Sequence, residues 1–475
     1  MNPNAILVFN NSTAGARAWT SVDAGLTWST NGDFGGDPGT AIIGNDNFGP
    51  HGRFVVLGLA GVGPAKVEAH YKDLPGSDWT SVSVTETGPT DKGTVWVDNS
   101  FHSSNRFRLY ASWTEGGGQI VVASSGNSGM SWPLNRSIEH VPGENFFWGA
   151  NLQTGRTGRV YLMWSRLSEL FPSGTTHSFG FSEMTSLQSF LFQPETVLLA
   201  NAVHDVNPVV TPDATTAPSM AVDRSDSNQD HLFLVWADNR PSLGPDIMMM
   251  KGTASLPSGS VVWESSNLIR VNANAAPTAD QWWPWITWDE CSDMLAVVYM
   301  EKIGSTVNTR IAVTENHGAT WTDVKVSDVG WNGAQSNDYD FIGVGSGDGR
   351  AFPGWSDNRE GGFRPYTSPL LLWGVTVSHT IEALPDNVFR LTVTWTSNVR
   401  ADAGDSFVLT PPPGISLVES PVLTISGDGK THTATYTGPC VPSGASWNYV
   451  LSSRRTGCIQ SRTESRSFKV LYCVE

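Results

Sequence analysis

The sequence predicts an all-β chain, in which a six- or seven-bladed β-propeller is followed by a β-sandwich of the immunoglobulin or fibronectin kind. Three observations support this prediction. A short turn motif recurs three times, pairs of apolar strands recur roughly every 50–65 residues, and 48 glycines and 28 prolines are spread along the chain. Only 16% of the residues are charged. Such a composition is typical of many short strands that are joined by tight turns.

The turn motif has the pattern S/T-x-D/N-x-G-x-T/S-W and occurs at Ser21–Trp28, Ser125–Trp132 and Thr314–Trp321. Its acidic or amide residue is expected to accept hydrogen bonds from backbone N–H groups two or three residues further on. Its glycine supplies backbone angles that other residues resist, and its tryptophan anchors the turn on the sheet. The residues concerned are Asp23, Gly25 and Trp28; Asn127, Gly129 and Trp132; and Asn316, Gly318 and Trp321.

The larger repeat is a pair of apolar strands separated by a short polar turn. The first strands are predicted at Thr40–Gly44, Gly93–Val97, Phe147–Asn151, Ser219–Asp223, Pro284–Trp288 and Tyr339–Val344. Each would be the inner strand of a four-stranded blade. The N-terminal segment carries the first turn motif but lacks an inner strand. Either Leu370–Val375 supplies this inner strand and completes a seventh blade, or the N-terminal segment adds outer strands to the last of six blades.

Residues 377–475 have a different pattern, and we place the domain boundary before them, so that residues 1–376 form the propeller. Segments such as Val388–Trp395, Thr431–Tyr436 and Ser446–Leu451 alternate apolar and polar residues, and the turn motif is absent. Short strands over this length favour a sandwich. These 99 residues carry eight basic and eight acidic side chains, so the whole acidic excess lies in residues 1–376.

The four cysteines are Cys291, Cys440, Cys458 and Cys473, and no C-x-x-C pair occurs that would suggest zinc. We expect a Cys440–Cys458 or Cys458–Cys473 disulfide in the sandwich and a buried free thiol at Cys291. No apolar run reaches the ~20 residues of a membrane span, and the first nine residues do not resemble a signal peptide. The cysteine grouping and the motifs favour an extracellular or cell-surface protein whose signal peptide is absent from this chain.

The formal net charge of −16 repels phosphate backbones, so we expect a glycan or a surface protein as partner and not a nucleic acid. No cofactor is predicted. A structural Ca²⁺ on the oxygens of Asp223, Asp226, Asn228 and Asp230 is an alternative, although this segment lacks the glycine and the terminal glutamate of the helix-loop-helix calcium motif.

The turn motif resembles the Asp box, or BNR repeat, of sialidases and related propellers. In that family the box joins the third and fourth strands of a blade and does no chemistry. The resemblance covers about 370 residues as a fold but only the boxes as a motif. It implies that the active face lies opposite the boxes, where the loops between second and third strands and between blades meet.

Five predicted blades place charge just after the second strand on that face, at Glu115, Arg166, Asp238 with Arg240, Glu301, and Asp357 with Arg359. Two of these sites share the sequence W-x-D-N-R. One interpretation is that Asp and Arg pair within their own loop and shape it. The other is a ring of acids and arginines around a central well.

The resemblance implies roles for this ring, because sialidases hold the carboxylate of their substrate with three arginines. Arg166, Arg240 and Arg359, with Glu115, are the candidate ligand-binding residues, since guanidinium forks match carboxylates. Glycoside hydrolysis usually needs two carboxylates, and sialidases replace one with a tyrosine activated by a glutamate. The candidate catalytic residues are Tyr299, Glu301, Asp238 and Asp357. Tyr299 and Glu301 share one face of their predicted strand.

The sequence departs from the sialidases in one respect that bears on function. Their F/Y-R-I-P motif, which supplies one of the three arginines, is absent, and Arg17 lies in the unrelated sequence Ala16-Arg17-Ala18-Trp19. We therefore expect a secreted or cell-surface propeller that binds glycans or proteins without catalysis. The first alternative is an exo-acting, sialidase-like glycoside hydrolase, and the second is a structural surface protein.

Overall fold

A computed structural model of the chain is built of antiparallel β-sheets. The structure describes residues 5–10, 17–23, 25–31, 34–44, 52–60, 66–74, 76, 78–86, 90–116, 118–142, 146–168, 176–186, 190–206, 217–240, 244–272, 279–332, 342–373, 375–386, 388–397, 406–413, 416–427, 429–439, 446–453 and 462–469. Among these residues, no helix is long and apolar enough to cross a membrane.

The first three sheets follow one another along the chain. Sheet A has the order β1 (Ile6–Asn10), β2 (Arg17–Ser21), β3 (Ser29–Asn31). Sheet B has the order β4 (Gly36–Ile43), β5 (Arg53–Ala60), β6 (Lys66–Asp73), β7 (Thr80–Glu86). Sheet C has the order β8 (Thr90–Val97), β9 (Leu109–Glu115), β10 (Gln119–Ser125), β11 (Leu134–Ser137).

The next four sheets each begin with two strands that are consecutive in the sequence and paired with each other. Sheet D consists of β12 (Phe146–Thr154), β13 (Val160–Leu167) and β14 (Thr176–Ser186), with β15 (Leu191–Phe192) and β16 (Thr196–His204) both paired to β14. Sheet E consists of β17 (Ser219–Asp223), β18 (Gln229–Arg240) and β19 (Gly244–Ser255), with β20 (Val261–Trp263) and β21 (Ile269–Arg270) both on β19. Sheet F consists of β22 (Ala279–Asp289), β23 (Met294–Ile303) and β24 (Thr306–Thr314), with β25 (Thr322–Lys325) and β26 (Trp331–Asn332) on β24. Sheet G consists of β27 (Ile342–Gly347) and β28 (Arg350–Asp357), with β29 (Arg364–Thr367) and β30 (Leu370–Leu371) on β28.

The six strand pairs predicted from the sequence are present, each as the first two strands of one sheet from B to G, although residues 339–341 of the last predicted first strand lie outside the described residues. The small antiparallel sheets of about four strands are consistent with propeller blades. The prediction that Leu370–Val375 supplies the inner strand of the N-terminal segment is wrong for the described residues. Leu370–Leu371 form β30, which pairs with β28, and Val375 pairs with Ser397. The N-terminal segment instead forms sheet A from its own three strands.

The hydrophobic core of this region lies between successive sheets. One cluster joins residues of sheets B and C, including Val55 and Val95. A second joins sheets C and D, and a third joins sheets D and E. Because each strand alternates its side chains between two faces, sheets C and D each pack on the sheet before them and on the sheet after them.

The three turn motifs share one pattern of hydrogen bonds. The backbone N–H groups of Thr27, Ser131 and Thr320 each donate to the Asp23, Asn127 or Asn316 side chain at 2.9 Å. The acceptor therefore fixes an N–H group four residues on, whereas two or three had been expected. The glycines have left-handed backbone angles, with φ of 89°, 93° and 85°. In sheets C and F the motif joins the third and fourth strands, and in sheet A the second and third.

The residue before the glycine ties two of these turns to the preceding sheet. The carbonyl of Ser128 accepts a hydrogen bond from Arg53 Nη1 of sheet B at 2.9 Å. His317 Nε2 lies 3.0 Å from the buried Asp223 carboxylate of sheet E. The turn thus closes a strand pair and also docks its sheet on a neighbour.

The chain divides into two compact units, and the second comprises residues 289–293, 347–350 and 371–475. One of its sheets has the order β31 (Val375–Leu384), β32 (Val388–Ser397), β35 (Thr431–Pro439), β34 (Val422–Ile425). The other has the order β33 (Ser406–Thr410), β36 (Ser446–Ser453), β37 (Arg462–Lys469). A single cluster that includes Phe389, Tyr436 and Trp447 packs the two sheets together.

Cys291 belongs to this second unit and is buried against Trp373. The expectation of a free thiol is wrong, because Cys291 is disulfide-bonded. Burial frequency alone cannot distinguish a free cysteine from a bonded one, since both kinds are buried. The other three cysteines, and with them the two pairings suggested above, lie outside the described residues.

Asp289 provides a pH-dependent test of the second unit. Burial raises the pKa of its carboxyl to about 6, although the backbone N–H groups of Ser292 and Gly349 donate to it. Between about pH 4 and pH 6 the folded state binds a proton that the unfolded state has lost, so this group lowers stability as the pH rises. We expect Asp289→Asn to raise the free energy of unfolding at pH 8 by about 3 kcal/mol. The variant should therefore unfold at a higher urea concentration than the wild type.

The advantage of Asp289→Asn should disappear below about pH 4, where the carboxyl is protonated in both states. Urea titrations of both proteins at pH 3.5, 5, 6.5 and 8 measure this. An advantage that is the same at every pH would show that burial of the charge is not its cause.

Candidate functional site

The second strands of the sheets end at the edge where the first strands begin. Thr90 at the start of β8 pairs with Glu115 at the end of β9, and Phe146 at the start of β12 pairs with Leu167 at the end of β13. We call this edge the loop edge. The Asp-box turns leave the opposite edge, since Ser125 pairs with Leu109 at the start of β9. The predicted site residues, which follow the second strands in sequence, therefore lie at or near the loop edge.

Arg166 lies in a buried ion pair in sheet D. Its Nη1 is 2.5 Å from Glu195 Oε2, and the two side chains are 4% and 0% exposed. Its Nη2 donates to the Val141 carbonyl at 3.2 Å. Trp164 and the Val141 backbone N–H also donate to Glu195. Arg166 thus holds the loop before β12 on sheet D.

The two W-x-D-N-R segments have the same local structure. Trp236 Nε1 donates to Asp238 at 3.1 Å, and Trp355 Nε1 donates to Asp357 at 2.9 Å. Both carboxylates are buried, and Asp238 also accepts the His204 backbone N–H. The motif thus fixes a carboxylate against the indole two residues earlier in the strand.

Arg359 pairs with Asp357 of its own segment. Its Nε lies 2.9 Å from both Asp357 oxygens, and it also contacts Asp328 and stacks over Tyr366 at 4.1 Å. The hydrogen bond to Asp357 raises the pKa of this guanidinium. The side chain of Arg240 lies outside the described residues. Glu115 is half-buried at the end of β9.

Tyr299 and Glu301 lie on one side of β23, where both face Arg310 and Asp323. The Tyr299 hydroxyl donates to Asp323, Arg310 Nε donates to Asp323 at 2.8 Å, and Arg310 Nη1 lies 3.4 Å from Glu301. Burial and the neighbouring Asp323 carboxylate raise the pKa of Tyr299, and burial raises that of Glu301. Glu301 does not contact the hydroxyl that it was expected to activate.

A second group of residues at the loop edge combines three different sheets. It consists of Asp91 and Lys92 of β8, Trp148 of β12 and Trp283 of β22, and we call it the tryptophan cluster. The two rings lie 6.3 Å apart between centroids. Lys92 Nζ lies 5.5 Å from the Trp148 centroid and 5.3 Å from that of Trp283. Trp148 Nε1 donates to Asp91 at 2.7 Å.

Irregular backbone conformations at these positions set the directions in which the side chains point. Lys92 and Trp283 have φ of 48° and 51°, which side chains other than glycine rarely adopt. The register is broken between Asp91 and Thr94 in β8 and between Trp148 and Asn151 in β12. Such bulges and strained residues cluster at functional sites, where they redirect side chains. This observation makes the tryptophan cluster the best candidate site at the loop edge.

The exposure of the cluster determines what each member can do. Trp148 is only 1% exposed, so it supports the others. Trp283, Lys92 and Asp91 are half-buried and reach solvent. Together they offer an aromatic face, an ammonium donor and a carboxylate acceptor.

The oxygens of the calcium candidates are used by separate partners. Asp223 lies against His317, and Asp230 accepts hydrogen bonds from Tyr161 and from the Arg156 backbone. Asp226 accepts from the Asn228 backbone N–H. Within the described part of the chain, no group of three or more His, Cys, Asp or Glu residues could hold a metal ion.

Comparison with known proteins adds little. No family model matches the chain, and no curated protein matches its sequence. A solved structure titled "NanB plus Optactamide" aligns over 88% of this chain and 84% of its own, with 9% identity and a TM-score of 0.19. At this TM-score the alignment supports no conclusion about fold or activity.

Proposed function

We propose that the first unit is a sialidase-like propeller of seven blades that closes into a ring and binds glycans without catalysis, in an extracellular or cell-surface protein. Sheet A supports closure because its β1 neighbours both β29 of sheet G and β4 of sheet B. Hydrogen bonds from Ile286 to Ser219 and between Thr287 and Ser346 connect sheets E, F and G. The second unit would be an immunoglobulin-like or fibronectin-like module.

The single observation that carries the glycan proposal is the meeting of Trp283, Trp148 and Lys92 from three sheets. Sugar rings present C–H groups on one face, which pack on indole rings, while their hydroxyls need donors and acceptors at the rim. Asp91 and Lys92 supply an acceptor and a donor beside the half-buried Trp283. The strained backbone of Lys92 and Trp283 supports a functional role.

The contacts of the residues predicted for catalysis and ligand binding oppose turnover and are therefore in line with binding without catalysis. Burial and the Asp323 carboxylate raise the pKa of Tyr299, which opposes loss of its proton, and its hydroxyl donates to Asp323 and not to Glu301. Arg166 and Arg359 already hold carboxylates of this chain. A hydrolase built on these residues would first have to break buried ion pairs.

The test is a glycan-array screen followed by calorimetric titration of the best ligand. We expect Trp283→Ala to weaken binding about tenfold or more, since aromatic anchors dominate such contacts. Trp28→Ala is the matched control, because Trp28 is 36% exposed but lies in an Asp-box turn at the opposite edge. Equal losses in both variants, or none in Trp283→Ala, would rule out the tryptophan cluster as the site.

An exo-acting glycoside hydrolase is the second candidate, and one residue favours it. Burial raises the pKa of Asp280, three residues before Trp283, as is required of a carboxyl that donates a proton near neutral pH. A panel of fluorogenic exo-glycosidase substrates that includes a sialoside tests this. Turnover by the wild type that is lost in Asp280→Asn would establish the hydrolase and remove the claim of binding without catalysis.

A further inference from the structure

We infer that the glycan bound at the tryptophan cluster is uncharged, an inference that rests on the proposed function. The cluster itself is balanced in charge. The Asp91 carboxylate accepts hydrogen bonds and the Lys92 ammonium donates them, so the pair can bridge neighbouring hydroxyls of a neutral sugar. An acidic sugar would need an excess of cations instead.

The guanidinium groups described at the loop edge are matched by carboxylates of the chain. Arg166 pairs with Glu195, Arg359 with Asp357 and Asp328, Arg310 with Glu301 and Asp323, and Arg270 with Asp246 at 2.8 Å. A guanidinium that turned towards a ligand would leave a buried carboxylate unpaired. These arginines therefore do not provide the forks that recognise a carboxylate on a sugar.

The field around the cluster also opposes an anion. The chain carries a net charge of −16, and residues 377–475 are neutral, so the acidic excess lies in residues 1–376, which also carry the cluster. A field of one sign lowers the local concentration of ligands of the same sign. Specificity can arise from such repulsion as well as from attraction.

The experiment compares pairs of glycans that differ only in an acidic residue. Arrays carry neutral oligosaccharides beside their sialylated and uronate-bearing versions, and the best ligands are titrated at 50 and 500 mM NaCl. We expect the neutral member of each pair to bind at least tenfold more tightly. Its affinity should change less than twofold with salt, since no net charge is neutralised.

Three variants keep the outcome interpretable. Trp283→Ala should lose the neutral ligand, Trp283→Phe should retain it within about fivefold because an aromatic face remains, and Trp28→Ala should retain it fully. Circular dichroism shows whether each variant is folded. Loss in Trp283→Ala with retention in folded Trp283→Phe ties the neutral glycan to this ring.

The possible failures are distinct. If the wild type binds no glycan, the proposed function fails. If acidic glycans bind as well as or better than neutral ones and depend on Trp283, the proposed function stands and the inference of an uncharged ligand is overturned. A neutral ligand whose affinity falls tenfold or more at 500 mM NaCl also overturns the inference.

Discussion

Replacing Arg166 with alanine is expected to lower the free energy of unfolding by about 3–5 kcal/mol. Its partner Glu195 is fully buried, and Arg166 is 4% exposed. Removal of the guanidinium leaves the buried carboxylate with Trp164, the Val141 backbone N–H and the nearby His140 ring as its remaining partners. At present the pKa of Glu195 is lowered, because hydrogen bonds from His140, Arg166 and Val141 outweigh the burial that would raise it. In the variant, the Glu195 carboxylate therefore stays buried without the guanidinium that stabilises its charge.

Urea titration measures the change, and the chain provides a matched control. Arg364 and Glu360 also form an ion pair, but their side chains are 65% and 58% exposed. Arg364→Ala should lower stability by less than about 1 kcal/mol. If Arg166→Ala instead keeps the wild-type midpoint and loses glycan binding, Arg166 is a ligand-binding residue, as the resemblance to sialidases implies.

Replacing Gly58 with alanine is expected to lower the free energy of unfolding by about 3 kcal/mol or more, which is near the upper end for overpacked cores. Gly58 lies in β5, and the position of its missing Cβ is taken by the carbonyl oxygen of Phe34 from the segment between sheets A and B. Because the clashing oxygen belongs to the backbone of Phe34, no side-chain rotation can relieve the clash. Phe34 is itself packed edge-on against His70 and Trp79, so a shift would open the core between the two sheets.

Gly343→Ala is the control for Gly58→Ala. Gly343 also lies in a strand, β27, but no described atom lies within 4 Å of its Cβ position. We expect its replacement to change stability by less than about 0.5 kcal/mol or to raise it slightly, because alanine restricts the unfolded chain. Thermal and urea unfolding of both variants measure this. Equal effects at the two positions would show that the Phe34 carbonyl is not the cause.

The features that the sequence predicts correctly are local ones. The strand pairs of sheets B to G follow from alternating apolar residues and turn residues, which act over a few positions. The Asp-box turns close within eight residues, from Ser21 to Trp28 for example. Their hydrogen-bond spacing differs from the expected one, because Asp23, Asn127 and Asn316 accept from the N–H group four residues on.

The tryptophan cluster could not be predicted, because it depends on contacts between distant sheets. Trp148 and Trp283 are far apart in sequence, and they meet only after bulges and left-handed residues redirect their strands. Nothing in a pattern of apolar residues encodes where a bulge falls. In the sequence, Trp283 is one of several tryptophans around Pro284, and nothing in the pattern distinguishes it from the others.

The partner of Arg166 was missed for a similar reason. Glu195 lies 29 residues further on, beyond the short strand β15, and no spacing rule connects the two. The error at Cys291 arose because a disulfide depends on the position of a second cysteine in space. A charged residue beside a predicted strand end therefore does not reveal whether its partner is a ligand or another part of the chain.

The contacts that dock Asp-box turns on the preceding sheet couple the stability of neighbouring sheets. Each such turn holds a side chain of the sheet before it, Arg53 in one case and Asp223 in the other, while closing its own sheet. Local opening of either sheet in such a pair would leave a polar group on the other sheet without this partner, so unfolding of one sheet would weaken its neighbour. Neighbour coupling of this kind makes a row of small sheets, each too small to be stable alone, melt together.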